Sequence, residues 1–268
     1  MNIWTKKSIA LANQEDYLDQ LYKVYPMTHN IKRSPSDNFI EKINNDIKKK
    51  DNIQLVKDLL TERNLPFPVK DSYVSFLRRD KSSLERNPQT VNRLSGIIYE
   101  MGIDQVKKNM SKPIETNRQI GPLFKEWIKN GYLGVNVTRN PNEFLSFDGN
   151  IIYNDDDKKM KEFAEEHLGY DRKNKGLDFI GKFNKNYIIG ESKFLTDFGG
   201  HQNAQMEDAL STLRYPLRKT NYSVKRIAIL DGVVYLENNG KMNRLLKEAE
   251  DDEVILSSLL LRDYLYSI

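Results

Sequence analysis

The chain has 268 residues, no cysteine, 30% charged residues and a formal net charge of +4, a size that suits one large domain or a catalytic domain with a helical companion. The missing cysteines exclude disulfides, thiolate zinc sites, iron–sulfur clusters and cysteine nucleophiles, and three histidines far apart in sequence, His29, His167 and His201, argue against a histidine-built metal centre. An apolar content of 38% excludes a wholly disordered chain, and no apolar run approaches the roughly 20 residues that cross a bilayer. Any metal is then a hard cation held by carboxylates. The opening Met1-Asn2-Ile3-Trp4-Thr5-Lys6-Lys7 lacks the apolar stretch of a secretory signal, so the expectation is a cytoplasmic protein with no membrane association.

The first hundred or so residues read as helical. Leu18, Leu21, Tyr22 and Tyr25 lie in an early helix that Pro26 ends. Ser34-Pro35-Ser36-Asp37 supplies capping chemistry for a helix carrying Phe39, Ile40, Ile43 and Ile47. Gln54 to Leu60 and Tyr73 to Arg79 follow as short helices, and Val91, Leu94, Ile97, Ile98 and Met101 form an apolar stripe ending at Gly102. The expected division is a helical N-terminal subdomain, 1–110, followed by a second domain, 111–268.

Beyond Ser111-Lys112-Pro113, Thr116-Asn117-Arg118-Gln119 has the Thr-x-x-Gln pattern of a capping box. Ile120, Leu123, Phe124, Trp127 and Ile128 follow as a buried helical face, with Pro122 awkwardly inside it. Phe144 to Phe147 and Ile151 to Tyr153 are strand candidates, and Asp155 to His167 an exposed helix with an acidic start. Two strands, Leu177 to Phe183 and Tyr187 to Leu195, flank a hairpin loop at Asn184-Lys185-Asn186. A helix bearing Met206, Leu210 and Leu213 precedes the apolar strand Ile227 to Leu230, for which Val233 to Leu236 is a candidate partner. Helices near Asn243 to Ala249 and Ser257 to Tyr266 finish the chain. The fold class is α/β, with a central mixed sheet flanked by helices.

Strand side chains alternate faces with a period of two, so Glu191 and Lys193 project from one side and Gly190 and Ser192 from the other. Asp178 sits on the preceding strand and can reach the surface of Glu191 and Lys193. Ile188-Ile189 and Phe194-Leu195 bracket the charges, which places them in a strand that is otherwise buried, where a charge is costly unless paired or metal-bound. Two carboxylates and an ammonium group suit phosphodiester hydrolysis. Asp178 and Glu191 offer hard oxygen ligands for Mg²⁺, supplemented by the Ser192 backbone carbonyl. Lys193 can orient water, assist its deprotonation or stabilise charge on the phosphorane.

Asp178, twelve intervening residues and then Glu191-Ser192-Lys193 resemble the signature of the PD-(D/E)XK nuclease superfamily, with Leu177 in place of its usual proline. Within it, Gly190 to Gln202 and Arg118 to Lys125 look like the corresponding segments of Type II restriction endonucleases. The resemblance covers roughly residues 113 to 236. It implies a restriction-endonuclease-like core, Mg²⁺-dependent cleavage of double-stranded DNA at a short specific sequence, a homodimer matched to a palindromic site, and a functionally paired cognate DNA methyltransferase. It also implies a metal-site role for Glu115 or, as the weaker candidate, Gln119. The bland alternative is that Glu115 favours a helix N-terminus and Gln119 completes its cap.

Gly199-Gly200 follows the catalytic strand, and the next helix opens with His201, Gln202, Asn203 and Gln205. Glycines permit close backbone approach to a phosphate or groove, and Gln and Asn can pair bidentately with adenine, so this segment is the expected DNA contact. His201 could instead touch the scissile phosphate. Lys173, Lys175, Lys182 and Lys185, with Arg214, Arg218 and Lys219, would position a duplex through its phosphates. Leu259-Leu260-Leu261 with Tyr264-Leu265 would either bury in a dimer or pack on the sheet. The competing readings are a repair or junction-resolving nuclease of the same fold, a non-catalytic DNA-binding module, and an interaction protein in which the Glu191–Lys193 pair is structural.

Overall fold

The computed structural model describes residues 1–26, 34–62, 64–112, 119–172 and 175–268. They gather into two compact units, one combining Met1–Met27 with Thr116–Ile268, the other formed by Thr28–Glu115. This departs from the expected division at residue 110, because helices α1 (Ile3–Ala12) and α2 (Tyr17–Val24) belong with the sheet. Long-range hydrogen bonds hold them there. Thr5 Oγ1 donates to the Ile255 carbonyl at 2.9 Å, the Ser257 N–H donates to Ser8 Oγ at 2.9 Å, and Tyr25 Oη donates to Asp231 Oδ2 at 2.7 Å. These partners lie more than 200 residues apart, beyond the reach of local periodicity.

The unit spanning 28–115 contains α3 (Asp37–Lys49), α4 (Asn52–Thr61), α5 (Tyr73–Arg79), α6 (Ser83–Arg86) and α7 (Pro88–Met110). Ser36 and Asp51 cap α3 and α4 by accepting from the Phe39 and Gln54 N–H groups. Gly102 interrupts α7 at φ 70°, where the apolar stripe was expected to end, and the chain then resumes a helix to Met110. Ile43, Leu55, Leu59, Val91, Leu94 and Ile98 share one core.

The other unit is built on a six-stranded mixed sheet. Its strands are β1 (Asn136–Thr138), β2 (Ile151–Tyr153), β3 (Phe179–Phe183), β4 (Asn186–Leu195), β5 (Val224–Gly232) and β6 (Val254–Leu256), side by side in that order. The β2–β3 and β3–β4 pairs are antiparallel and the others parallel. Helices α8 (Ile120–Lys129), α9 (Pro141–Ser146), α10 (Asp157–His167), α11 (Gly200–Arg214), α12 (Lys241–Glu248) and α13 (Leu261–Ser267) flank it. The β3–β4 hairpin turns at Asn184 and Lys185, with φ of 47° and 67°, the left-handed geometry that matches the twist of the flanking strands. Parallel β4 and β5 require a crossover, and α11 supplies it.

Two expected strands take other forms. Residues 144–147 lie largely in α9, because the Asn140 side chain accepts from the Asn142 and Glu143 N–H groups and Pro141 opens the helix. Val233–Tyr235 is a short 3₁₀ turn rather than a partner of β5. Gly232 has φ 89°, and a side chain there would strike the Leu195 carbonyl, so the chain turns away where β5 ends. Pro122 falls in the first turn of α8, where its missing N–H costs nothing. Leu261, Tyr264 and Leu265 are buried in the core of their own unit, which removes them from a dimer surface.

Candidate active site

Asp178 stands immediately before β3. Its N–H donates to the Gly190 carbonyl at 3.0 Å, and its Oδ2 accepts the Ser192 N–H at 2.9 Å. These two bonds tie the carboxylate to the middle of β4. Glu191 and Lys193 share one side of that strand, as alternation requires, and their charged ends meet at Glu191 Oε1. The Glu191 side chain is only 4% exposed. Burial pushes its pKa above the ordinary carboxylate value, the neighbouring Asp178 adds to the rise, and Lys193 and Lys175 oppose it.

Three further charged groups, Lys175, Asp208 and Arg172, complete the cluster. Lys175 Nζ lies 2.6 Å from Glu191 Oε1 and also contacts Asp208 Oδ2, while Lys193 Nζ is 3.9 Å from that same oxygen. Arg172 Nη2 lies 3.7 Å from Asp208 Oδ1, and its Nη1 donates to Thr212 Oγ1 at 3.0 Å. Three cations therefore meet Glu191 and Asp208, while Asp178 is held by the Ser192 N–H. Burial alone would lower the Lys175 pKa, but Glu191 and Asp208 together raise it, which keeps the ammonium charged.

Sequence reasoning assigned Lys175 to phosphate contact and did not single out Arg172, Asp208 or Thr212. Asp208 lies off the stripe of Met206, Leu210 and Leu213, so periodicity gives it to solvent. The readable signal is the spacing of Asp208 and Thr212, one helical turn apart beside Ala209, on a second side of α11 that is partly buried.

The chain matches, over residues 2–268, the profile of the family described as Tsp45I type II restriction enzyme. It belongs to that family. No curated protein and no solved structure matches it. As a member it is a restriction endonuclease, an enzyme that cleaves DNA at specific sequences. No helix among the described residues is long and apolar enough to cross a membrane.

The restriction enzyme places its expected DNA-contact residues unequally. Gly199 and Gly200 both lack positive φ, and a side chain at Gly200 would meet open space, so what the pair leaves is room rather than a tight turn. His201 is exposed, with its Nε2 3.1 Å from Gln205 Nε2. Gln202 turns inward instead: its Nε2 donates to Thr196 Oγ1 at 3.2 Å, and its Oε1 accepts the Thr196 N–H at 3.3 Å. Both ends of that amide are spent on closing the loop before α11. Asn203 Nδ2 donates to the Phe198 carbonyl at 3.2 Å. Lys182 is buried against the Leu145 and Phe147 carbonyls, and burial lowers its pKa, so it braces the sheet rather than meeting solvent. Arg214 pairs with Glu253 and Arg218 with Asp171. Lys185 and Lys219 are exposed. Gln119 is half-buried just before α8. Glu115, Lys173, His29 and the Thr116 half of the capping box lie outside the described residues.

Proposed function

We propose that this chain is a Mg²⁺-dependent restriction endonuclease with a PD-(D/E)XK site, in which Asp178, Glu191 and Lys193 carry the chemistry of phosphodiester hydrolysis in double-stranded DNA. The observation that carries this reading is the convergence of Glu191 and Lys193 on one buried side of β4, with Asp178 fastened to the same strand through the Ser192 N–H. Membership in a restriction family over the whole matched span favours this reading over a repair nuclease, and the retention of both carboxylates and the lysine favours it over a binding module.

The donor set fits a hard cation. Two carboxylates and the Ser192 backbone carbonyl would hold Mg²⁺, an ion that keeps several waters and needs few protein ligands. Glu115 is the candidate further ligand from the start of the first core helix, with Gln119 the alternative. When bound, the ion neutralises phosphate charge and makes water a better nucleophile. The protein's own part is positional. Asp178 is held by a main-chain hydrogen bond, Glu191 is screened from bulk water, and Lys193 presents an ammonium group that orients the attacking water and stabilises negative charge developing on the phosphoryl oxygens.

DNA approach follows from charge and exposure. Within residues 28–115 there are seventeen Lys and Arg against twelve Asp and Glu, a net +5, whereas the remaining residues carry twenty-five against twenty-six, a net −1. The helical unit is thus the basic part of the chain, which supports a phosphate-gripping role for it. Gly199, Gly200, His201, Asn203 and Gln205 line the loop and helix start beside β4 and are the candidate groove contacts. Gln202 supports them from inside. The reading includes a cytoplasmic homodimer and a DNA methyltransferase of matching specificity as its functional partner.

The test is incubation of the purified chain and of Lys193→Ala with long duplex DNA, in Mg²⁺ or EDTA. Discrete fragments from the wild type in Mg²⁺ alone are expected. Intact DNA from several sources in every lane would overturn the reading.

A further inference from the structure

We infer that Lys175 is the resident counter-cation of the nuclease site: it occupies the place of the divalent ion beside Glu191 and passes to Asp208 when that ion binds. The inference rests on the proposed function and concerns how the site exchanges one cation for another.

The geometry separates the roles of the two lysines. Both ammonium groups sit on the same oxygen, Glu191 Oε1, although one would suffice to balance a single carboxylate. Lys193 is a β4 residue next but one to Glu191, so it cannot leave the neighbourhood. Lys175 comes from the chain before β3 and is outside any strand or helix. It alone bridges Glu191 to Asp208 at close contact, whereas Lys193 is 3.9 Å from Asp208. Asp178, Glu191 and Asp208 bring three negative charges against Lys193 and Arg172, so the ion-free cluster takes a further cation, and a buried carboxylate short of one is strongly unfavourable.

A divalent ion at Glu191 would bring a third and larger positive charge to that oxygen, and repulsion in a site screened from water would drive one ammonium away. Lys175 is the one with somewhere to go. Asp208 is the wettest of the three side chains, 34% exposed against 18% for Lys175 and 4% for Glu191, and it already contacts Lys175. Among the described residues no three acidic or histidine side chains gather as a metal cluster, and Asp208 Oδ2 is turned to Lys175. Its carboxylate is aimed by Arg172, which is itself fixed on Thr212. Asp208 is accordingly a positioning residue that acts through Lys175. A flexible ammonium stem is suited to such a transfer, since it moves between acceptors by rotating its own bonds.

The experiment is calorimetric titration of Mg²⁺ or Mn²⁺ into the DNA-free full chain. Lys175→Met removes the competitor and is expected to tighten binding by about tenfold. Asp208→Asn removes the acceptor for the displaced ammonium and is expected to weaken binding several-fold. The double variant should match Lys175→Met, because without the lysine there is nothing for Asp208 to receive. Melting curves in EDTA establish that each variant is folded, and Asp208→Asn tests the exchange by itself if Lys175→Met is not. Folded Lys175→Met that binds no tighter than wild type, or Asp208→Asn that binds equally well, would overturn the exchange while leaving the nuclease reading standing. A wild-type titration that Glu191→Gln leaves unchanged would instead remove the site itself, and the exchange with it.

Discussion

Glu191 on β4 and Asp231 on β5 are both almost sealed from water, at 3% and 0% exposure, on neighbouring parallel strands of one sheet. Burial pushes both carboxyl groups above the ordinary carboxylate range. Their partners differ in kind. Asp231 accepts from Tyr25 Oη at 2.7 Å, from Ser257 Oγ at 2.6 Å and from the Ser258 N–H at 3.1 Å, all neutral donors set in the scaffold. Glu191 is met by two ammonium groups on long stems, one shared with Asp208. A ring of fixed dipoles makes a closed joint, and the joint of Asp231 fastens the end of α2 and the segment after β6 to the end of β5. A cluster of charges on long, rotatable stems is the arrangement the proposed cation exchange requires. On the proposed reading, the same cost of burial serves architecture at one carboxylate and chemistry at the other.

That contrast can be broken most decisively through cleavage. Glu191→Gln and Lys193→Ala are predicted to lower the cleavage rate by about three orders of magnitude, as lost transition-state stabilisation does elsewhere. Asp231→Ala should leave the chemistry in place in whatever fraction stays folded. A gel assay on matched folded protein would contradict the division if Asp231→Ala lost as much activity as Glu191→Gln.

Stability gives the next largest effects, and they run in the opposite sense. Asp231→Ala strands three buried donors and is predicted to cost about 3 kcal/mol or more, which thermal denaturation would register as a clear fall in Tm. Gly190→Ala tests the contact between β4 and β5 next to Glu191. Its Cβ would lie 2.8 Å from Ile227 Cγ1 and 3.2 Å from the Ile227 carbonyl, so a loss of about 2 kcal/mol is expected from overpacking. An unchanged melting curve would show that β4 and β5 have slack there.

The smallest effect carries the finest distinction. For a carboxyl whose folded pKa is raised, the native state holds more protons than the unfolded chain between the two pKa values. Stability therefore falls as pH rises through that window above the ordinary carboxylate pKa, and the penalty is complete beyond it. Glu191→Gln carries no such penalty, so its Tm at neutral pH should equal or exceed that of the wild type, with a flatter decline above acid pH. A Tm for Glu191→Gln well below wild type across the whole range would mean that the ion pairs of Glu191 outweigh its burial.

How much of this was legible follows from the reach of each interaction. The β3–β4 hairpin and the meeting of Glu191 with Lys193 depend on strand alternation and a two-residue turn, both local, and the sequence displays them. The three-residue strands β1 and β6 are too short for alternation to show. Phe144 to Phe147 reads as a strand by its apolar content, yet the cap at Asn140 and Pro141 turns it into a helix. Asp208 was hidden because a polar helical residue looks like surface until a distant lysine is brought to it. Tyr25 looked like the apolar end of an early helix, whereas its hydroxyl serves Asp231, 206 residues further on.

The hydrogen bonds from α1 and α2 to the last strands carry a consequence for how the protein is made. Unit 28–115 draws its core from one continuous stretch, so it can close while the remainder is still on the ribosome. The sheet-bearing unit cannot, because Thr5, Ser8 and Tyr25 find their partners only once residues 231–257 have emerged. A nascent chain stalled before β6 is therefore expected to show a protease-resistant helical unit and an unfinished sheet, with the sheet-bearing unit assembling only once β6 has emerged.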